Sequence, residues 1–196
     1  MICKIRILKI SSILFLLLCF NISILCAKPH LIVNPLRNNS DFKEKCWDIS
    51  REFTKDLKKS LLKEFSLTTS TGEILSSIIV YGNIKEFDIT SKEYSAMPLV
   101  GQRFYVAKIV VELYLSSATS CSVTKIISEQ EKTYNKITGF FTLPEEEDEI
   151  NTRMADFSKR DKIKWGSEEF NKSILGKARD EAIRDLTEKV VKKLKQ

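Results

Sequence analysis

Few side chains in this 196-residue sequence have the type and spacing that catalysis requires. The single histidine, His30, lies in a short tail too exposed to hold a precise geometry, which argues against Ser-His-Asp, Cys-His and HExxH sites. Gly176 and Lys177 look like the end of a phosphate-binding loop. However, Asn171 stands where that loop needs its first glycine, and Ala178 stands where it needs Ser or Thr. We therefore expect no catalytic residue, no metal ligand and no cofactor, and hence no enzyme.

Carboxylates are the one reactive group present in quantity, with 26 Asp and Glu residues. A periplasmic hydrolase that uses a pair of carboxylates stays an alternative, because such a pair is defined by geometry and not by sequence spacing. Five consecutive acids occupy residues 145–149, a pattern typical of a solvated, mobile linker. A third hypothesis is a surface-exposed binding protein, for which this acidic loop would be the feature that meets a partner.

The first 27 residues have the composition of an export signal. Residues 13–20 are almost entirely apolar, Ala27 offers a small residue for cleavage, and the preceding positive segment contains Lys4, Arg6 and Lys9. This pattern predicts a signal peptide at 1–27 and export to the periplasm. Attachment to the outer membrane stays open.

Two alternatives to plain cleavage follow from the same segment. Residues 10–27 are uncharged and approach the length that spans a bilayer, so an uncleaved anchor is one of them. Lipidation at Cys26 is the other, although Leu25 is bulky where a lipidation signal needs a small residue.

Removing 1–27 takes away three basic residues and no acidic one, which lowers the formal charge from +6 to +3.

The distribution of charge argues against a nucleic-acid partner, and the cysteine content allows at most one disulfide after residue 27. Lys and Glu are interleaved along most of the chain, whereas a nucleic-acid footprint needs basic residues clustered on one face. Three of the five cysteines lie in the leader, which leaves Cys46 and Cys121. In an oxidising compartment these two could form one disulfide, and two buried free thiols are the alternative.

The spacing of apolar residues predicts a single α+β domain over residues 28–196. The predicted elements are a strand at 31–35, a helix over 42–65 capped by Ser40, strands at 77–89, 104–115 and 123–137, and a final helix opened by Ser167. In the strand 104–115 every odd position is apolar, and the more polar strand 123–137 is expected at a sheet edge. The order β-α-β-β-β-α describes a sandwich in which two long helices cover a mostly antiparallel sheet.

Three aromatic residues are candidates for contact with a partner protein. Trp165 lies between Lys164 and Gly166 in a polar stretch before the final helix, and Trp is frequent among the residues that dominate interfaces. Phe140 and Phe141, just before the acidic run, are the other two candidates.

Three local stretches carry a resemblance to a known family. They are residues 33–40 with the following Trp47 and Phe53, residues 81–84 (Tyr-Gly-Asn-Ile), and residues 170–178 (Phe-Asn-Lys-Ser-Ile-Leu-Gly-Lys-Ala). On these residues the chain resembles the curli-secretion (CsgG-like) family of bacterial envelope proteins over nearly all of 28–196. The resemblance implies a periplasmic, non-enzymatic domain that oligomerises or binds envelope machinery, attached to the outer membrane in many relatives.

A weaker similarity points to the LptE-type lipopolysaccharide-assembly lipoproteins. Only residues 68–76 stand where the CsgG-like family has a helix between its second and third strands. The similarity to LptE-type proteins implies a short α/β partner of an outer-membrane barrel. Under either resemblance the expected partner is an envelope protein or a second copy of the chain, with no nucleic acid and no small-molecule substrate.

Overall fold

The computed structural model describes residues 30–42, 47–67, 77–97, 100–117, 122–139 and 145–195. These ranges contain the strands β1 (His30–Val33), β2 (Arg37–Asn38), β3 (Ser66–Leu67), β4 (Ile78–Met97), β5 (Val100–Ser117) and β6 (Val123–Gly139). They also contain the helices α1 (Ile49–Leu61), α2 (Glu146–Ala155), α3 (Phe157–Arg160), α4 (Glu168–Lys172) and α5 (Ile174–Leu194). Within these ranges, no helix combines the length and the apolar character that a membrane crossing requires.

The six strands form one mixed sheet in the order β3-β1-β4-β5-β6, with β2 pairing to β4. β4, β5 and β6 make the antiparallel meander. β1 and β2 each pair in parallel with β4, and β3 pairs in parallel with β1. The predicted α+β architecture is confirmed, with the long helices α1 and α5 and with β6 at one end of the strand order. The strand predicted at 31–35 is β1, whereas its parallel pairing and the two-residue strands β2 and β3 were not predicted from the apolar pattern.

In β5 every second side chain belongs to the core. The six apolar side chains at its odd-numbered positions are all buried, namely Tyr105, Ala107, Ile109, Val111, Leu113 and Leu115. β4 behaves differently, because a register shift between Ile84 and Glu86 inserts an extra residue. Its buried positions are therefore even-numbered before the shift and odd-numbered after it, with Val80 and Ile84 giving way to Phe87 and Ile89.

Helix α1 begins later than the sequence indicated. The prediction that Ser40 caps the helix is wrong, because the Ser40 amide and hydroxyl bond to Oδ1 of Asn38 at 3.1 and 2.6 Å. Asp48 is the cap, and its side chain accepts from the Arg51 amide at 3.0 Å. Within α1 the apolar stripe of Ile49, Phe53, Leu57 and Leu61 is buried.

The final helical region is two helices and not one. Ser167 caps only the short α4, accepting from the Phe170 amide at 3.2 Å, and Ser173 caps α5 by accepting from the Gly176 amide at 3.0 Å. A Cβ on Gly176 would collide with the carbonyl oxygen of Phe170, so glycine lets the two helices join closely. The α5 stripe of Leu175, Ala178, Ala182, Leu186 and Val190 is fully buried.

The prediction that residues 145–149 form a mobile linker is wrong. The acids open α2, where negative charge near the helix N-terminus is favourable. Ile150 and Met154, one helical turn apart, are buried and hold α2 against the domain. Asp148 is itself buried, with 5% of its surface exposed.

Candidate functional site

The face of the sheet opposite the core is an accessible surface. The even-numbered side chains of β5 from Gln102 to Tyr114 are half-buried there, and the odd-numbered side chains of β6 are exposed. The apolar members of the β6 row are Val123, Ile127 and Ile137, which are 56%, 45% and 63% exposed. Polar and charged side chains separate these three residues along the row, so they are single exposed apolar side chains and not a contiguous apolar patch.

Two sets of ion pairs cross this face from strand to strand. Lys108 lies 3.0 Å from Glu86 on β4 and 3.4 Å from Glu129 on β6. Glu112 lies 2.7 Å from Lys125 on β6 and 3.8 Å from Lys85 on β4. The hydrogen bond from Lys125 lowers the pKa of Glu112, and the hydrogen bond to Glu86 raises the pKa of Lys108.

The outer edge of β6 carries backbone groups that another strand could use. Nζ of Lys189 donates to the carbonyl of Ile127 at 2.8 Å, which shows that this carbonyl is accessible from outside the sheet. No strand in the described ranges pairs with that edge. An edge of this kind is a template for pairing with another chain.

A buried polar cluster lies where α2 meets the sheet. The Tyr105 hydroxyl is 2.5 Å from Oγ1 of Thr152 and 3.2 Å from Oδ1 of Asp148. Nη1 of Arg103 and Nζ of Lys136 lie 3.8 and 4.0 Å from the other oxygen of Asp148. Burial raises the pKa of Tyr105. Two cations and a phenol compensate the buried carboxylate of Asp148, so the cluster stabilises the contact between α2 and the sheet.

The acidic residues of α2 and α4 line a cleft of about 350 Å³. Lys172 lies 2.8 Å from Glu146 and 3.0 Å from Glu168, and these hydrogen bonds raise its pKa to about 12. The two carboxylates are 72% and 83% exposed. A carboxylate hydrolase needs one carboxyl in an apolar environment that keeps it protonated near neutral pH. The cleft therefore supplies carboxylates without the apolar environment of a general acid.

Trp165 belongs to an aromatic cluster. Its ring centre lies 4.9 Å from that of Phe170, 5.6 Å from that of Phe87 and 5.9 Å from that of Trp47. Its indole N–H donates to Oδ2 of Asp56 at 2.9 Å. The side chain is half-buried, so part of it reaches the surface, and its role as a partner contact stays a prediction.

Five of the predicted site residues lie outside the described ranges: the partner-contact candidates Phe140 and Phe141, the disulfide candidates Cys46 and Cys121, and the lipidation candidate Cys26. Their predicted roles stay predictions. Within the described ranges, no group of three or more His, Cys, Asp and Glu side chains is arranged to hold a metal ion.

The chain is similar in structure to several bacterial proteins. One is described as a neuraminyllactose-binding hemagglutinin homologue from Helicobacter pylori, at 14% identity and a TM-score of 0.43, covering 86% of this chain and 83% of that one. Rare lipoprotein B from Shewanella oneidensis matches at 12% identity and 0.34, covering 85% and 99%. A minor lipoprotein from Acinetobacter baumannii matches at 8% and 0.31, covering 85% and 90%.

Neither a protein-family model nor a curated protein sequence matches the chain.

Sequence reasoning missed the polar cluster at α2. Tyr105 was predicted only as a core residue, and Asp148 only as one charge in an exposed run. A signal was present, because Ile150 and Met154 continue the acidic run at helical spacing. That spacing predicts the helix. By the same spacing Glu146 and Glu147 share the face of Ile150, so the burial of Asp148 could not be predicted from it.

Proposed function

We propose that the protein is exported to the cell envelope and works there without catalysis, by joining its sheet to the sheet of a second copy through the outer edge of β6. The export signal at 1–27 and the resemblance to CsgG-like proteins support the location. The 17-residue edge of β6, which no described strand pairs with, supports the assembly and is the observation that carries the proposal.

The accessible carbonyl of Ile127 fixes which backbone groups are offered. In an antiparallel strand the N–H and C=O of alternate residues point to opposite sides. The register of β6 on β5 runs without a shift, so the odd-numbered residues of β6 direct both groups outward. Their side chains are the exposed ones, and a second strand added here would extend the outward face of the sheet.

Antiparallel pairing of two copies about Lys132 gives a favourable register. It places Ile127 opposite Ile137, Glu129 opposite Asn135 and Glu131 opposite Thr133, so no acid on the outward face meets another acid. Cross-strand apolar pairs stabilise a sheet, and like charges directly opposite destabilise it. On the other face Lys132 is already neutralised by Glu181 of α5 at 2.6 Å. Pairing about Gln130 would instead set Glu129 against Glu131.

The assembly test is light scattering coupled to size-exclusion chromatography, with a proline placed in the edge. Glu131→Pro removes an outward-facing N–H and leaves the pairing with β5 intact, because proline is tolerated on an edge strand. We expect a dimer for the unaltered protein and for Glu131→Gln, and a monomer for Glu131→Pro. Circular dichroism checks the fold of each, and Ile137→Lys provides a second variant in case the proline variant unfolds. A monomeric unaltered protein, or variants that still dimerise, would overturn the assembly.

The location is tested by the intact mass of the protein from soluble and membrane fractions of its own host. A chain that begins at Lys28 in the soluble fraction is the expected result and indicates a free periplasmic domain. A mass that includes acyl chains on Cys26 would keep the envelope location and favour the LptE-type lipoprotein alternative. A chain that retains residue 1 in the soluble fraction would overturn export.

A further inference from the structure

A cleft of about 320 Å³ lies on the outward side of the sheet, where the turn after β1 and the start of β2 lie beside β4. It is lined by Asn34, Pro35, Arg37, Tyr81, Gly82, Asn83 and Tyr114. The volume is at the lower end of the range for small-molecule sites, which combine apolar walls with a few placed polar groups. It lies away from the β6 edge.

Two tyrosines form the wall of the cleft. Tyr81 on β4 and Tyr114 on β5 are register partners, and their rings stack with centres 5.4 Å apart and planes 19° apart. The strand order puts β5 on one side of β4 and both β1 and β2 on the other. Because Tyr114 covers one face of the Tyr81 ring, the other face is turned toward the segment that carries Asn34 and Arg37.

The close packing of the two rings depends on Gly82. A Cβ at this position would collide with the backbone carbonyl oxygen of Glu112 on β5, so only glycine lets the two strands approach here. The Tyr114 hydroxyl donates to Glu112 at 3.1 Å, which fixes the second ring. The two rings are therefore already stacked without a ligand, and preorganisation of this kind favours binding.

The polar groups of the cleft have unused hydrogen-bonding capacity. Within the described part of the chain, the side chains of Asn34, Arg37 and Asn83 have neither a hydrogen bond nor an ion pair. The side-chain amides of Asn34 and Asn83 offer both donors and acceptors, and the guanidinium of Arg37 offers a planar fork of donors. Most of the other charged side chains on this sheet face are engaged in ion pairs, so a free guanidinium beside an aromatic wall is distinctive.

We propose that this cleft binds a saccharide that carries a carboxylate. The C–H face of a sugar ring is weakly positive and stacks on the negative face of an aromatic ring, here Tyr81. The amides of Asn34 and Asn83 match the hydroxyl groups at the rim of the sugar. Arg37 matches the carboxylate, because a guanidinium binds a carboxylate through two parallel hydrogen bonds.

The class of ligand follows from the combination of groups. A simple carboxylate would use Arg37 and leave the aromatic wall exposed, and a neutral sugar would use the wall and leave the guanidinium unpaired. A planar base cannot insert between the two tyrosines, because they already stack on each other. An acidic sugar uses all three features at once.

The test compares two probes that differ only at one carbon: methyl β-D-glucuronide and methyl β-D-glucoside. Binding to the purified protein is followed by NMR titration of the tyrosine ring and arginine side-chain signals. We expect the glucuronide to bind with a Kd of about 1 mM and the glucoside about tenfold more weakly, since the guanidinium–carboxylate pair separates them. Sodium acetate, the third probe, is expected to bind more weakly than the glucuronide.

Two variants and two matched controls locate the site. Arg37→Gln should reduce the preference for the glucuronide to less than about twofold, and Tyr81→Leu should weaken both sugars by about tenfold. Arg51→Gln on α1 and Tyr94→Leu at the far end of β4 should leave both affinities unchanged. The proposal is overturned if neither sugar saturates, if acetate binds as tightly as the glucuronide, or if the controls lose as much as the cleft variants. Because Glu131→Pro leaves the cleft intact, failure of dimerisation and failure of sugar binding are separate results.

Discussion

The indole N–H of Trp165 donates to Oδ2 of Asp56 at 2.9 Å, and this bond ties the segment before α4 to the middle of α1. The same oxygen accepts from Nη1 of Arg179 on α5 at 3.1 Å. One carboxylate on α1 therefore holds a Trp and a nearly buried Arg, whose side chain is 7% exposed. Three segments far apart in the sequence meet at this carboxylate, which makes it a point where stability can be tested.

We predict that Asp56→Ala destabilises the protein by about 1–3 kcal/mol, because two partly buried donors lose their acceptor. The matched control is Asp185→Ala, which removes an acid from the exposed pair with Lys189 and should cost less than about 0.5 kcal/mol. Urea unfolding of both variants measures the difference. Equal midpoints for the two variants would show that the Asp56 carboxylate contributes no more than a surface charge.

The two faces of β5 give a second prediction. Val111 is fully buried under the helices, and its neighbour Val110 is half-buried on the outward face. Val111→Ala should cost about 2 kcal/mol through lost burial and the cavity that remains, and Val110→Ala should cost less than about 1 kcal/mol. Thermal or urea unfolding compares the two. A larger loss for Val110→Ala would mean that the outward face is covered in the native protein.

The sequence predicted β5 well because burial decides every second position there. It predicted β4 less well, because the register shift after Ile84 changes which positions face the core, and such a shift depends on the neighbouring strand. Helix starts were the other source of error. Ser40, Asp48, Ser167 and Ser173 are all good N-cap residues, and tertiary packing decides which of them opens a long helix.

The candidate interaction surface was predictable only in part. Alternation and polarity indicated that 123–137 lies at an edge. The cleft at Tyr81 could not be predicted, because Asn34 in the turn after β1, Arg37 on β2 and Tyr114 on β5 come together only through the pairing of β1, β2 and β5 with β4. Gly82 was the available signal, since a glycine within a strand indicates a close backbone approach.

The ion pair between Glu112 and Lys125 predicts a pH dependence of stability. The pKa of Glu112 is lowered from its ordinary 4.5, chiefly by the hydrogen bond from Lys125. Its contribution is therefore full above about pH 4.5 and is lost as the pH falls through the lowered value. We expect Glu112→Gln to be less stable than the unaltered protein at pH 7, with the difference shrinking progressively as the pH falls below about 4.5.

The measurement is urea unfolding at a series of pH values, with Glu188→Gln on the exposed face of α5 as the control. A difference between Glu112→Gln and the unaltered protein that stays constant from neutral to acidic pH would contradict the ion-pair explanation.

Gly82 and Gly166 predict opposite responses to the same substitutions. Gly166 has a φ of 70° and open space around it, so its requirement is conformational. Gly166→Ala should cost about 1 kcal/mol, and Gly166→Asn should cost less, because Asn adopts the left-handed region more readily. At Gly82 the obstacle is the carbonyl oxygen of Glu112, and conformation plays no part. There Gly82→Asn should be at least as destabilising as Gly82→Ala, since both carry a Cβ and the amide adds bulk. Urea unfolding of the four variants shows which of Ala and Asn is the more stable at each position. If the Asn variant is more stable than the Ala variant at both positions, the contact with the Glu112 carbonyl does not set the strand spacing at Gly82.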